Sequence, residues 1–277
     1  MNYYDKFQGI TQSEVYDEKT SLSLAIACDL AYEKDEVKIA SIVQNWGYSL
    51  DGFKSVVKKP DIDTQYYVMS NNDNIVVVFR GSESLKDWFA NFQAVYDPGP
   101  LIDTKAHEGF QDALFPAVIG LTNFLDDAAS QNKKIWITGH SLGGALCSLY
   151  AGMLLENKYD VYGIYTYASP RPGNGAFGKK LNGKVIGPHY RVVNFGDIVP
   201  HVPPEPFYSH PGKRVILNEE SKDDSDDSWF KQRVGALKTF IAEISNILDV
   251  ADNHRLSADR ESYIPRLIKD LERSDQG

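Results

Sequence analysis

The residue best suited to chemistry is a serine between two glycines, in the pentapeptide Gly139-His140-Ser141-Leu142-Gly143. A serine hydroxyl becomes a strong nucleophile only when a neighbouring base takes its proton, so it must project from an exposed turn. Glycines on both sides carry no Cβ, which lets a strand and a helix approach each other closely at the turn. The pattern G-x-S-x-G therefore predicts a nucleophile elbow, with an ordinary glycine-rich turn as the alternative.

The segments on either side of Ser141 favour the elbow. Residues 135–137 are apolar and too few for a helix, which predicts a buried strand. Beyond Gly144, apolar side chains recur at helical spacing: Leu146, Leu149, Tyr150, Met153 and Leu154. A helix that begins after the serine directs free N–H groups and a positive dipole end at the reacting group. The N–H of Leu142 is therefore a candidate donor to an oxyanion.

A second apolar run, residues 75–79, predicts a central strand that leads into Ser82. A backbone N–H just past such a strand can donate to an oxyanion, and a helix N-cap is the alternative role for Ser82. Residues 83–92 follow, with four apolar side chains on one helical face: Leu85, Trp88, Phe89 and Phe92. This segment predicts either a surface helix packed on the core or a short helical lid over an apolar acyl site.

A serine nucleophile also needs a base and an orienting acid, which follow it in the order Asp, His in α/β-hydrolases. Asp197 comes directly after a predicted strand, where the acid is expected, although an Asx-turn is the alternative. His254 lies in a polar loop beyond one more predicted helix, whereas His201 and His210 lie in a proline-rich loop close to Asp197. We prefer His254 as the base, and His201 and His210 remain alternatives that fix the loop.

Other patterns predict the elements that position these residues. Strands are predicted at 53–57, 65–69, 161–168, 189–195 and 213–217, and helices at 20–32, 37–43, 107–129 and 229–250. We expect the first two strands to pair in an antiparallel hairpin. Together with the elbow, these elements predict an α/β-hydrolase with a mostly parallel sheet and helices on both faces. No repeat or linker interrupts them, so we expect residues 1–277 to form one domain.

The composition excludes several classes of function. The net charge is -9 and there is no basic patch, so we do not expect a nucleic-acid partner. No apolar run approaches the length of a membrane span. Cys28 and Cys147 lie in predicted helices and are expected to be buried free thiols. The first ten residues do not have the pattern of a Sec-type signal, so we expect a cytoplasmic protein or one that is exported without that signal. A secreted mature form remains an alternative.

Five stretches resemble the class 3 lipases, the family of filamentous-fungal triacylglycerol lipases and their bacterial and plant relatives: VVVFRGSESLKDWFANF, HEGFQDAL, ITGHSLGGALCSLYA, YRVVNFGDIVPHVPP and DNHRLSADRESY. The resemblance implies that Ser141 is the nucleophile, Asp197 the acid and His254 the base. It also implies oxyanion donors from Ser82 and Leu142, and a lid in residues 83–92 that contacts the substrate.

The activity that the resemblance implies is hydrolysis of acylglycerol or related lipid esters through an acyl-enzyme, with no metal or organic cofactor. A transient contact with a lipid surface through the lid is implied as well, and the oligomeric state stays open. Two alternatives remain. The chain could be a phospholipase A1 or an esterase of soluble or feruloyl esters, or an inactive relative that serves as a signalling scaffold. An intact set of Ser141, Asp197 and His254 counts against the scaffold.

Overall fold

The computed structural model of the 277-residue chain describes residues 2–59, 62–82, 94–130, 132–217 and 253–274. The strands are β1 (Ser49–Lys59), β2 (Ile62–Ser70), β3 (Asn74–Phe79), β4 (Tyr96–Pro98), β5 (Lys105–His107), β6 (Lys134–His140), β7 (Val161–Tyr167), β8 (His189–Asn194) and β9 (Lys213–Leu217). The α-helices are α1 (Glu18–Leu30), α2 (Glu36–Asn45), α3 (Glu108–Ser130), α4 (Leu142–Glu156), α5 (Gly175–Asn182) and α6 (Tyr263–Ser274). Short 3₁₀ turns lie at Tyr4–Lys6 and Val199–His201.

The described strands form a seven-stranded sheet in the order β1-β2-β3-β6-β7-β8-β9, and β4 and β5 form a separate two-stranded ribbon. β1, β2 and β3 pair antiparallel, as the predicted hairpin requires. From β3 onward every neighbour in the large sheet is parallel. The expected α/β-hydrolase architecture, with a mostly parallel sheet, is confirmed. The carboxyl ends of β3, β6, β7 and β8 meet at one edge, where ligands bind in open α/β sheets.

Both faces of the sheet are covered, and β3 shows why. All six of its residues are buried. Ile75, Val77 and Phe79 pack against apolar side chains of α3 and α4. Val76 and Val78 face the opposite way, against apolar side chains of α1, α2 and α6. A strand buried on both faces needs apolar residues at successive positions, which is the reason for the unbroken apolar run at 75–79.

Several predictions from the sequence have a definite outcome in this fold. Cys28 and Cys147 are buried free thiols, as expected. The proline-rich loop contains a 3₁₀ turn, and α5 and α6 were not predicted. The helix predicted at 229–250 lies outside the described residues, and the single domain expected for residues 1–277 stays a prediction. Within the described part of the chain, no helix is long and apolar enough to span a bilayer.

Candidate active site

Ser141 lies in the turn between β6 and α4, with backbone angles φ 56° and ψ -129°. A serine rarely adopts a positive φ, because its Cβ then crowds the backbone. The surrounding strands hold it there: the N–H of Ser141 donates to the carbonyl of Tyr167 over 2.9 Å. Strand, sharp turn and helix follow one another as in the predicted nucleophile elbow.

The glycines around Ser141 are required by close backbone contacts. A Cβ on Gly139 would lie 2.2 Å from the carbonyl oxygen of Gly143. A Cβ on Gly143 would lie 2.4 Å from the carbonyl oxygen of Phe79, at the end of β3. Neither position has room for a side chain. The ordinary glycine-rich turn considered as the alternative would not need such contacts on both sides of the serine.

The two residues expected to donate to an oxyanion flank this turn. Leu142 is the first residue of α4, so its N–H has no acceptor within the helix. Gly81 precedes Ser82, and a Cβ on Gly81 would lie 2.9 Å from the Cβ of Ser141. The chain leaving β3 therefore touches the elbow just before Ser82. The role of both N–H groups as oxyanion donors stays a prediction.

Asp197 and His254 form a buried pair. The imidazole Nδ1 of His254 lies 3.0 Å from both carboxylate oxygens of Asp197, and the two side chains are 3% and 0% exposed. The backbone N–H of Val199 also donates to Asp197, over 3.0 Å, so Asp197 forms the Asx-turn considered as its alternative role as well. Because a carboxylate only accepts, Nδ1 carries the proton and a neutral His254 ring has its lone pair on Nε2.

The pair lies beside the elbow. His140, directly before Ser141, makes a 2.8 Å hydrogen bond from its Nε2 to the backbone carbonyl of His254. The two imidazole rings have their centroids 4.8 Å apart. Nε2 of His254 is buried and has no hydrogen-bond partner among the described residues. The structure therefore brings a nitrogen that can accept a proton next to the turn that carries the serine hydroxyl.

The histidines considered as alternatives occupy other places. Nε2 of His210 lies 2.7 Å from the carbonyl of Pro200, and burial, followed by the nearby Arg191, holds its pKa well below the ordinary value. The backbone carbonyl of His201 accepts a hydrogen bond from the Arg171 guanidinium. The first contact lies within the proline-rich loop, and the second joins this loop to Arg171 in the loop after β7, so both fix its path. Of these three histidines, His254 is the one that the structure pairs with Asp197.

Sequence reasoning missed the side chains that support the pair. Tyr263, at the start of α6, donates its hydroxyl to Asp197 over 2.7 Å. Tyr32, just past α1, lies 2.8 Å from Nδ1 of His140. Tyr263 ends a stretch that carries the family resemblance, which is the one pattern that could have pointed to it.

The predicted substrate contacts of the lid lie outside the described residues and stay a prediction: Leu85, Trp88, Phe89 and Phe92.

These parts define the chemistry open to the site. A serine hydroxyl on a strained turn, an imidazole with an accepting Nε2 and a buried carboxylate behind it can carry out nucleophilic acyl transfer. The N–H groups of Leu142 and Ser82, the predicted oxyanion donors, would stabilise negative charge on a carbonyl oxygen. Within the described ranges, no three or more His, Cys, Asp or Glu side chains are grouped so that they could hold a metal ion.

Comparison with known sequences points to one family. The family model described as Lipase (class 3) matches residues 76–207. A lipase of Rhizomucor miehei is 32% identical over 196 residues, which are 68% of this chain and 51% of the relative. A secreted mono- and diacylglycerol lipase 1 of Fusarium solani is 34% identical over 158 residues, 55% of this chain and 47% of that protein. The chain thus spans about half the length of these curated relatives.

Solved structures give the same result. The triacylglyceride lipase of Rhizomucor miehei superposes with a TM-score of 0.63 at 28% identity, over 72% of this chain and 78% of the other. A lipase from Rhizopus microsporus var. chinensis superposes with a TM-score of 0.63 at 25% identity, over 78% and 80% of the two chains. Both superpositions cover more than two thirds of this chain.

Proposed function

The chain belongs to the class 3 lipase family, and from that premise we propose that it is a serine carboxylic-ester hydrolase acting through an acyl-enzyme. The observation that carries the proposal is the 3.0 Å contact of His254 Nδ1 with Asp197, made beside the Ser141 elbow. An imidazole held in this tautomer has its accepting nitrogen available for a serine proton.

In the proposed reaction, Oγ of Ser141 attacks the ester carbonyl carbon while Nε2 of His254 takes the hydroxyl proton. Asp197 holds Nδ1–H and stabilises the imidazolium that forms. The N–H groups of Leu142 and Ser82 donate to the oxyanion of the tetrahedral intermediate. Its collapse breaks the bond to the alcohol, which leaves with the proton from Nε2. Water then repeats the steps on the acyl-enzyme and releases the carboxylic acid.

We infer that acylglycerols are the substrate class. The relative from Fusarium solani is named a mono- and diacylglycerol lipase, and the superposed structure from Rhizomucor miehei is named a triacylglyceride lipase. These names support glycerol esters over phospholipid or feruloyl esters as the first substrates to test. Hydrolysis rates on mono-, di- and triacylglycerols, on phosphatidylcholine and on methyl ferulate would rank the classes, and faster release from either of the last two would contradict the inference.

We also propose, on the sequence of residues 83–92 alone, that this segment contacts a lipid surface during turnover. Its apolar face predicts a preference for aggregated substrate, because exposed apolar area is stabilised at an interface. Trp88→Ala combined with Phe89→Ala should then slow hydrolysis of emulsified esters much more than hydrolysis of dissolved p-nitrophenyl butyrate. Equal losses on both substrates would contradict the proposal.

Labelling with a fluorophosphonate probe tests the core of the proposal. The wild-type protein should be labelled at Ser141, and Ser141→Ala should be unlabelled and lose about 10³-fold or more of its hydrolysis rate while staying folded. A folded wild-type protein that neither reacts with the probe nor hydrolyses any ester would favour the inactive scaffold instead.

The identity of the base needs a separate comparison. His254→Ala should lose as much activity as Ser141→Ala, since members of such a set act as a unit. His210→Ala is the matched control, because His210 is also buried but bonds to Pro200 in the proline-rich loop. We expect that variant to lose stability and to keep its kcat. A larger kinetic loss at His210 than at His254, with both variants folded, would overturn the assignment.

A further inference from the structure

The C-terminal end of α1 contacts the loop that carries His254 by two separate routes. On the first, the Tyr32 hydroxyl lies 2.8 Å from Nδ1 of His140, whose Nε2 lies 2.8 Å from the carbonyl of His254. On the second, the hydroxyl of Ser257 donates to the carboxylate of Asp29 over 2.7 Å. Asp29 and Tyr32 are three residues apart, so one end of one helix holds the His254 loop at two points.

The partners of His140 assign its tautomer. A backbone carbonyl can only accept, so Nε2 of His140 carries a proton and donates to His254. Burial, followed by the nearby His254, holds the pKa of His140 well below its usual value, so the ring is neutral. Nδ1 is then an acceptor, and the Tyr32 hydroxyl donates to it. The first route therefore runs in one direction, from the Tyr32 hydroxyl to the His254 carbonyl.

Tyr32 also touches the other side of the elbow. A Cβ on Gly81 would lie 2.5 Å from the Tyr32 hydroxyl oxygen and 2.7 Å from the carbonyl oxygen of His140. The hydroxyl is therefore enclosed between the end of β3 and the residue before Ser141. A shift of Tyr32 would disturb both the His254 loop and the chain that leads to Ser82.

The rest of the His254 loop is held from the sheet. The side-chain amide of Asn194, at the end of β8, donates to the carbonyls of Asn253 and Glu261 over 2.7 and 2.6 Å. These bonds fix the loop at its two ends. The contacts from Asp29 and, through His140 at the end of β6, from Tyr32 act between these two ends, at Ser257 and His254.

We propose that Tyr32 and Asp29 are positioning residues for His254, Tyr32 acting through His140 and Asp29 through Ser257. This inference rests on the proposed function, in which Nε2 of His254 must reach Oγ of Ser141. Proton transfer requires a donor–acceptor distance of about 2.6–3.2 Å, and a misplacement of about 1 Å can cost about 10²-fold in rate. Loss of either contact should therefore slow the chemical step without weakening substrate binding.

The test compares Tyr32→Phe and Asp29→Leu with wild-type protein on dissolved p-nitrophenyl butyrate, and measures the rate of fluorophosphonate labelling alongside. We expect kcat and the labelling rate to fall together by about 10-fold, with KM changed less than two-fold, as for a displacement of well under 1 Å. Asp29→Asn should restore most of the activity, because its amide oxygen still accepts from Ser257. Tyr16→Phe is the control: Tyr16 bonds to Ser21 near the opposite end of α1, and kcat should not change.

The outcomes separate this inference from the proposed function. If the wild-type protein is not labelled at Ser141, the proposed function itself is wrong. If it is labelled and Tyr32→Phe and Asp29→Leu keep the wild-type kcat while only their melting temperatures fall, the two residues are merely structural and the inference is overturned. Should Asp29→Leu fail to fold, Ser257→Ala removes the same contact from the loop side, and an unchanged kcat and labelling rate there overturns the Asp29 route. Should Tyr32→Phe fail to fold, His140→Gln removes the ring that accepts from Tyr32, and an unchanged kcat and labelling rate there overturns the Tyr32 route. His140→Gln and Tyr32→Phe can also be combined in one variant. If the losses of kcat in the two single variants add up in the double variant, Tyr32 and His140 do not act by a shared route.

Discussion

The hydroxyl of Tyr263 donates a 2.7 Å hydrogen bond to Oδ2 of Asp197 and accepts a 3.0 Å hydrogen bond from the backbone N–H of Asn194. Burial, followed by the nearby Asp197, raises the pKa of Tyr263 well above its usual value, so the phenol keeps its proton and remains a donor. Together with His254 and the N–H of Val199, Tyr263 surrounds a carboxylate that is 0% exposed. These bonds offset the cost of burying Asp197.

Tyr263→Phe should therefore destabilise the protein and slow catalysis together. The change leaves the Asn194 N–H and one acceptor site of Asp197 unpaired, which costs about 1.5–3 kcal/mol for a bond to a charged group. Urea denaturation measures the loss. Tyr208→Phe is the control, because Tyr208 is also buried, at 2% exposure, and its hydroxyl has no hydrogen-bond partner among the described residues. Equal, small effects in both variants would show that the bond to Asp197 contributes little.

Gly139→Ala should prevent stable folding or sharply lower the melting temperature. Its Cβ would lie 2.2 Å from the carbonyl oxygen of Gly143, so the backbone of the elbow would have to move. Overpacking of this kind costs about 1–3 kcal/mol, and more where the clash is with backbone. Gly175→Ala is the matched control: nothing lies within 4 Å of its Cβ position, and it begins α5. A melting temperature that falls equally in both variants would contradict the steric argument.

How much of this site the sequence predicts depends on how local each part is. The elbow follows from Gly139, Ser141 and Gly143, which lie within five residues, and Asp197 follows from its place after a strand. The contacts of Tyr32 with His140 and of Ser257 with Asp29 join residues 108 and 228 positions apart. Periodicity and spacing in the sequence do not predict these contacts, because they arise from the packing of α1 against the sheet.

The missed helix α5 has a different cause. It has only eight residues, and two of them, Gly175 and Gly178, weaken any helical pattern. A residue that marks its start is nevertheless present in the sequence: the side chain of Asn174 accepts a hydrogen bond from the N–H of Phe177, as an N-cap does. Local capping thus predicts this element better than hydrophobic periodicity, because its buried face consists of little more than Phe177 and Leu181.

Stability should fall as the solution is acidified from pH 7.5 to 5.5. Burial lowers the pKa of His189 to about 3, and it holds the pKa values of His140 and His210 well below the ordinary 6.5. The unfolded chain protonates these rings near pH 6.5 while the folded protein does not, so the unfolded state binds more protons in this window. Each ring then reduces the free energy of unfolding by about 1.4 kcal/mol between the two pH values.

Urea denaturation at pH 7.5, 6.5 and 5.5 measures this dependence. His189→Gln removes one of the three groups and lies at the start of β8, away from the elbow. The variant should lose about 1.4 kcal/mol less than the wild-type protein over the same interval, whatever its stability at pH 7.5. An identical loss in both proteins would show that the pKa of His189 is the same in the folded and the unfolded protein.

Replacing the proposed nucleophile with glycine should stabilise the protein while abolishing its activity. Ser141 has φ 56° and ψ -129°, a conformation that costs a residue with a Cβ about 1–3 kcal/mol and costs glycine far less. Ser141→Gly and Ser141→Ala both remove the hydroxyl, but only the glycine variant relieves the backbone. We therefore expect Ser141→Gly to raise the free energy of unfolding relative to Ser141→Ala by about 1–3 kcal/mol in urea denaturation.

Ala168, at φ 53° after β7, provides the control without the hydroxyl: Ala168→Gly should also gain stability and keep its activity. If the glycine and alanine variants of Ser141 unfold at the same urea concentration, the elbow stores no strain, and the position of Ser141 is set by the close packing of Gly139 and Gly143 alone.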